Sequence, residues 1–212
     1  MDVQGTEAVV FDFDGVIVES ADIKTQAFIA LYAEHGTAAV AAAVAHHQAN
    51  GGISRRKKIR HIHHEHLGIR LSDDALEALC QRFSSLVEAA VVDCAAVAGA
   101  EDFLAAHHRR LPLFVVSGTP HEELVRIVDR RRLAPYFAGV FGSPPEKPPT
   151  IRAILRRHRL AAANVLFVGD ARTDYEAAAE TGLRFIGRVA AGDASPFPAG
   201  TAVVTDLTQL SL

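Results

Sequence analysis

The segment Ala8-Val9-Val10-Phe11-Asp12-Phe13-Asp14-Gly15 reads as a short buried strand that stops at two carboxylates. Its first four residues are apolar and β-favouring, and polar residues end the run, as for a strand covered on both faces. Period-two alternation puts Asp12 and Asp14 on one side and turns Phe13 toward the core. Two carboxylates so close repel each other unless a cation lies between them or one holds a proton. That suits a carboxylate nucleophile beside a proton-transferring acid; a capping or turn pair of aspartates is the plainer alternative.

Similar apolar runs follow at Leu113-Phe114-Val115-Val116 and Val165-Leu166-Phe167-Val168, with weaker ones at Val140-Phe141, Phe185-Ile186 and Ala202-Val203-Val204. Between them, stretches near 99–110, 120–133, 148–160 and 173–182 repeat apolar residues every three or four positions. Strand and helix alternate from about residue 98, which predicts a Rossmann-like parallel sheet flanked by helices. Residues 18–95 break the rhythm and predict helices alone, at about 19–35, 37–49, 54–67 and 73–92, the last capped by Ser72 and striped by Leu76, Leu79, Phe83, Leu86 and Val87. The expected fold is therefore α/β, with 1–17 and 96–212 forming a catalytic core and 18–95 an all-helical cap inserted after the first strand.

In open parallel sheets, sites form beyond the carboxyl ends of the strands. The second strand ends in Ser117-Gly118-Thr119-Pro120. Proline suits a first helical position and Thr119 can cap, so a hydroxyl and free amides would cradle a phosphate there. The third ends in Gly169-Asp170 with Asp174 four residues on, an oxygen-rich pair for a hard cation such as magnesium. Lys147 lies among prolines in Pro144-Pro145-Glu146-Lys147-Pro148-Pro149, placed to neutralise carboxylates or a phosphoryl group.

Taken in order, these motifs resemble those of the haloacid dehalogenase-like superfamily, in its phosphatase branch with a helical cap. Phe11-Asp12-Phe13-Asp14-Gly15-Val16 is similar to the family's first motif, Ser117-Gly118-Thr119 to the second, Lys147 to the third, and Gly169-Asp170 with Asp174 to the fourth. The resemblance implies a phosphatase acting on a small phosphorylated metabolite through an aspartyl-phosphate, with Asp12 as nucleophile and Asp14 as general acid/base. It implies magnesium held by the Asp12 and Asp170 carboxylates and the Asp14 carbonyl, with Asp174 supporting or ligating through water. Ser117 and Lys147 would then bind the phosphoryl group, alongside the Gly118 and Thr119 turn. Lys147-Pro148-Pro149-Thr150 departs from the lysine-proline-any-proline pattern of phosphoglycolate phosphatase relatives. A dehalogenase needs neither Asp14 nor a metal. A phosphomutase is the closer alternative, since Gly52-Ile53-Ser54-Arg55 resembles the cap loop of β-phosphoglucomutase, and Arg55 is expected to grip an anionic part of the substrate. A binding module without catalysis is the remote one.

The bulk composition narrows the rest. With 212 residues, 49% of them apolar, and a formal net charge of −3, the chain is long enough for one large core or a core with an insert. Met1 to Gly5 lacks the basic start of a secretory leader, and no apolar run reaches the roughly 18–20 residues of a membrane span. Cys80 and Cys94 are too few for a disulfide framework, so a cytoplasmic setting is the default. Arg55-Arg56-Lys57-Lys58, Arg130-Arg131-Arg132 and Arg156-Arg157 are scattered among acidic residues and read as solvated helix faces, so no nucleic-acid partner is expected. His46, His47, His61, His63, His64 and His66 crowd two cap helices and read as an exposed polar face.

Overall fold

The computed structural model describes residues 5–210; Met1–Gln4, on which the expectation about a leader partly rests, and the last two residues lie outside it. Among the described residues six strands form one parallel sheet in the order β3-β2-β1-β4-β5-β6: β1 Ala8–Phe11, β2 Leu113–Pro120, β3 Gly139–Ser143, β4 Val165–Gly169, β5 Arg184–Arg188 and β6 Val203–Val204. Strand β1 sits between β2 and β4, where the order of connections reverses, so the ends of these three strands border the crevice in which α/β sheets place ligands.

Alternation along β1 decides which helices its side chains meet. Val9, Phe11 and Phe13 enter a cluster with Val115, Leu124 and Ile127, whereas Ala8 and Val10 pack with Ile151, Ile154, Ala177 and Ala178. The first set is covered by α5 (Ala100–His107) and α6 (His121–Arg130), the second by α7 (Lys147–His158) and α8 (Arg172–Thr181). Asp12 continues the parity of Val10 and so points toward the starts of α7 and α8.

Between β1 and α5 lie only helices: α1 Ala21–Tyr32, α2 Thr37–Ala49, α3 Arg55–Leu67 and α4 Asp73–Asp93, apart from one short helical turn. Ser72 caps α4 by accepting from the Ala75 amide at 3.2 Å, as its position predicts. Phe28, Tyr32, Ile59, Ile62, Leu76, Phe83 and Val87 form the interior of this cap and join, through Val16, Ile17 and Val18, the cluster on the sheet. The outgoing and returning chains run antiparallel, with a bridge between Val18 and Ala96. Arg131 fastens the C-terminal end of α4 by donating to the carbonyls of Val91, Val92 and Cys94. Among the described residues, no helix is long and apolar enough to cross a membrane.

Two local expectations change. Strand β2 continues to Pro120, which is itself the N-cap of α6, so Thr119 does not cap. Lys147, just before the helical stretch expected from about 148, is itself the first residue of α7, followed by prolines that need no amide partner in a first turn.

Candidate active site

Asp12 is 3% exposed at the end of β1, where the Phe13 amide donates to its Oδ1 at 2.7 Å and Lys147 Nζ to its Oδ2 at 2.8 Å. Lys147 also pairs with Asp174 Oδ1. Asp174, wholly buried in the first turn of α8, accepts from the Ala171 amide through Oδ2 at 3.0 Å, an N-terminal cap that fixes its orientation. Asp170 reaches the same place because residue 15 is glycine with φ +73°; a Cβ there would stand 2.2 Å from Asp170 Oδ2. One oxygen each from Asp12, Asp170 and Asp174 lie within 4.8 Å of one another.

This crowding sets the charges. Burial raises the Asp12 pKa to about 6 against the opposing pull of Lys147, with Asp174 and Asp14 adding to the rise. Burial, with Asp12 and Asp174 adding to it, holds Asp170 well above the ordinary carboxylate range. Burial works against the Lys147 ammonium, but Asp12 and Asp174 overcome it and raise its pKa. Three convergent carboxylates make a hard-oxygen donor set that fits magnesium and suits neither a soft nor a nitrogen-seeking metal.

Asp14 has a different environment. Ser20 donates to its Oδ1 at 2.6 Å, Thr119 to its Oδ2 at 2.9 Å, and Lys24 pairs with it while also donating to Thr119 Oγ1 at 2.9 Å. Burial alone would raise its pKa; the Lys24 charge and these hydrogen bonds outweigh burial and hold it at about 2. Ser117 Oγ lies 3.4 Å from Asp14 Oδ2 and accepts from the Thr119 amide at 3.1 Å. Asp12, Asp14, Ser117, Gly118, Thr119, Lys147, Asp170 and Asp174 thus gather at the ends of three adjacent strands and the helices after them.

The cap closes over this cluster. A Cβ on Gly118 would fall 2.5 Å from the Gly52 carbonyl oxygen, so only glycine lets the cap loop lie so close to β2. Thr173 Oγ1 donates to the Gly51 carbonyl at 2.6 Å. A cleft of about 1000 Å³ between α3 and the starts of α6, α7 and α8 reaches Ser117, Gly118 and Lys147, while Asp12 and Asp14 lie beyond these residues rather than on its walls.

Arg55, expected to grip the substrate, lines this cleft but is engaged within the protein. It is 6% exposed, and its guanidinium donates to Glu123 Oε1 at 2.6 Å and Oε2 at 2.9 Å, and to Ser84 Oγ at 2.7 Å. The fork expected to grip a substrate holds the core helix α6 instead, with the Phe83 ring 4.6 Å from its Cζ. Breaking a buried pair from one side strands a charge and costs about 3–5 kcal/mol, whereas apolar replacement of both partners is nearly neutral. Arg55→Met is therefore expected to lose stability of that order in urea unfolding, and Arg55→Met with Glu123→Leu to regain most of it.

Lys57, His61, His64 and His66 are exposed as expected, but other members of the basic run and of the histidine group are not on solvated faces. Lys58 is 4% exposed and donates to His47 Nδ1 at 2.8 Å. His63 is buried with Nδ1 3.0 Å from the Tyr32 hydroxyl, and the His46 ring stacks on His61 at 4.0 Å. Lys24, His47, Lys58, Glu123 and Thr173 are the members of the site and its closure that sequence reasoning passed over. For Lys24 and Lys58, the helical spacing from neighbouring buried positions was the available signal.

Residues 6–182 match the family model described as haloacid dehalogenase-like hydrolase. A phosphoglycolate phosphatase of Pseudomonas savastanoi is 26% identical over 184 residues, covering 82% of this chain and 66% of that protein. The phosphoglycolate phosphatases matched are spanned over 42% to 68% of their own length. Among solved structures, β-phosphoglucomutase of Clostridium difficile superposes with a TM-score of 0.77 at 16% identity, over 97% of this chain and 93% of that one. A magnesium-bound HAD-hydrolase of Bacillus subtilis gives 0.70 at 16%, over 96% of each chain. At these identities the structural likeness is one of fold.

Proposed function

The chain belongs to the haloacid dehalogenase-like hydrolase family, and from that premise we propose that it is a magnesium-dependent phosphatase of a small phosphorylated metabolite. The observation that carries this reading is Asp12, a buried carboxylate oriented by the Phe13 amide and Lys147 beside the Asp170 and Asp174 carboxylates. Its Oδ atoms are the nucleophile: one attacks the phosphorus, the ester oxygen leaves, and an aspartyl-phosphate on Asp12 results. Lys147 and the Ser117 hydroxyl bind the equatorial oxygens as charge spreads over them. Asp14 is ionised beside Lys24, the form that takes a proton from the water attacking the phospho-enzyme; a phosphate dianion arriving beside it raises its proton affinity, as donation to the leaving oxygen requires.

Asp12, Asp170 and the Asp14 carbonyl would hold magnesium, with Asp174 supporting them. When bound there, the metal offsets the repulsion between carboxylates and phosphate and favours in-line geometry. Dialysis against a chelator is expected to abolish hydrolysis of p-nitrophenyl phosphate, and added magnesium to restore it; full activity in metal-free buffer would refute the dependence. The Arg55–Glu123 pair occupies the guanidinium that the mutase reading assigned to a second phosphate. Phosphoglycolate, the substrate named for the Pseudomonas relative, is the first ester to assay.

A further inference from the structure

Lys58 lies one helical turn after Arg55 on α3, and its surroundings are unlike those of the other buried cations. Lys147 pairs with Asp12 and Asp174, Arg55 with Glu123, Arg188 with Glu19, and half-buried Lys24 with Asp14. Among the described residues Lys58 Nζ has only His47 as a hydrogen-bond partner, through Nδ1 at 2.8 Å and the carbonyl at 3.4 Å, and no carboxylate comes within ion-pair distance of it. The Phe28 ring centroid lies 6.0 Å from the ammonium. Its electrostatic neighbours are nonetheless those of the site: Lys24, Asp14, Asp170 and Lys147.

An ammonium buried without a counter-charge is costly, and its nearest partner supplies none. Burial, then the charge of Lys58, keeps His47 neutral, with a pKa of about 3. Burial and the Lys24 charge correspondingly hold Lys58 at about 7, an amine whose full charge an arriving anion would restore. The transferring phosphoryl group would have Lys147 and Ser117 on the core side, and Lys58 stands on cap helix α3 among the charges of Lys24, Asp14, Asp170 and Lys147, off the walls of the wide cleft.

We propose that Lys58, backed by His47, is the specificity-determining residue of this site and holds an anionic group of the substrate other than the transferring phosphoryl. The substrate is then a small phosphate monoester bearing a carboxylate or a second phosphate at its far end. This rests on the phosphatase reading above and names the substrate class for it.

The test uses phosphate monoesters of two to six carbons, matched in length and ending in a carboxylate, a second phosphate or a hydroxyl. Wild-type protein is expected to show kcat/KM at least about tenfold higher for one anionic series than for its hydroxyl counterparts. Lys58→Met should lower that ratio by about tenfold or more, and Lys58→Arg should keep part of it. Arg56→Met, at a half-buried residue paired with Asp73 and Glu77, should leave the ratio unchanged. Circular dichroism and thermal unfolding show whether each variant is folded. A wild-type enzyme indifferent to the far group overturns the inference whatever the variants do. So does a Lys58→Met protein that keeps the preference, or one that loses both series equally. Turnover without anionic preference sinks this inference alone; no turnover of any ester, p-nitrophenyl phosphate included, sinks the phosphatase reading and this inference with it.

Discussion

Asp12→Asn is expected to lower kcat by roughly 10³-fold or more while the protein stays folded, a loss of the size seen when a nucleophile is removed. The amide keeps the carboxylate's volume and can still accept from the Phe13 amide, so β1 and its two covering layers have no reason to move. It cannot attack phosphorus and cannot form the acyl phosphate. The loss should be in kcat and not in KM, because Lys147 and Ser117 still meet the phosphate. Rapid quench with a ³²P-labelled ester is the sharper measurement: acid-stable label on the wild type at early times, none on Asp12→Asn. More than a few per cent of wild-type turnover in the purified variant would remove Asp12 from the nucleophile's place.

Asp14→Asn should cost about 10²- to 10⁴-fold, the span of general acid–base catalysis. The loss should depend on the leaving group. An aryl phosphate departs without needing a proton, so its formation of the phospho-enzyme should suffer less than that of an alkyl phosphate. Both should then stall at hydrolysis of the phospho-enzyme, where water still needs a base. Phosphorylated Asp12 is therefore expected to accumulate in Asp14→Asn during turnover of the aryl ester. Wild-type rates on both esters would show that Asp14 moves no proton. A uniform loss without accumulation would show that it serves only to order Lys24, Thr119 and Ser20.

Much of this was legible in the chain. The run of residues 8–11 ending at Asp12 and Asp14, and the matching runs ending at Ser117 and Gly169-Asp170, expose their fold through periodicities of two and 3.6, which depend only on neighbours along the backbone. The same local rules place Asp170 and Asp174 at a strand end and a helix start, and give the helices of the cap within a few residues. They also turn Phe13 inward, where it is wholly buried. Local rules failed where two plausible conformations differ by a single turn. Pro120 could open a helix or close a strand, and pairing of β2 with β3 as far as Ser143 decided for the strand.

Only the tertiary structure decided which charges face one another. In Arg55-Arg56-Lys57-Lys58 every residue is cationic, and sequence alone makes Arg55, following a flexible glycine turn, the natural choice to meet a substrate. Its partner Glu123 is 68 residues away on α6, and Thr119, which accepts a hydrogen bond from Lys24, is 95 residues away on β2. Such pairs follow from how the cap settles on the sheet: Gly52 against Gly118, Thr173 bonded to Gly51, and the helix that follows rotated so that Arg55 and Lys58 both turn inward. Periodicity says which residues of a helix share a face; only packing against the other layer says which carboxylate, if any, that face will meet, and the burial of Lys58 beside a neutral histidine is the result.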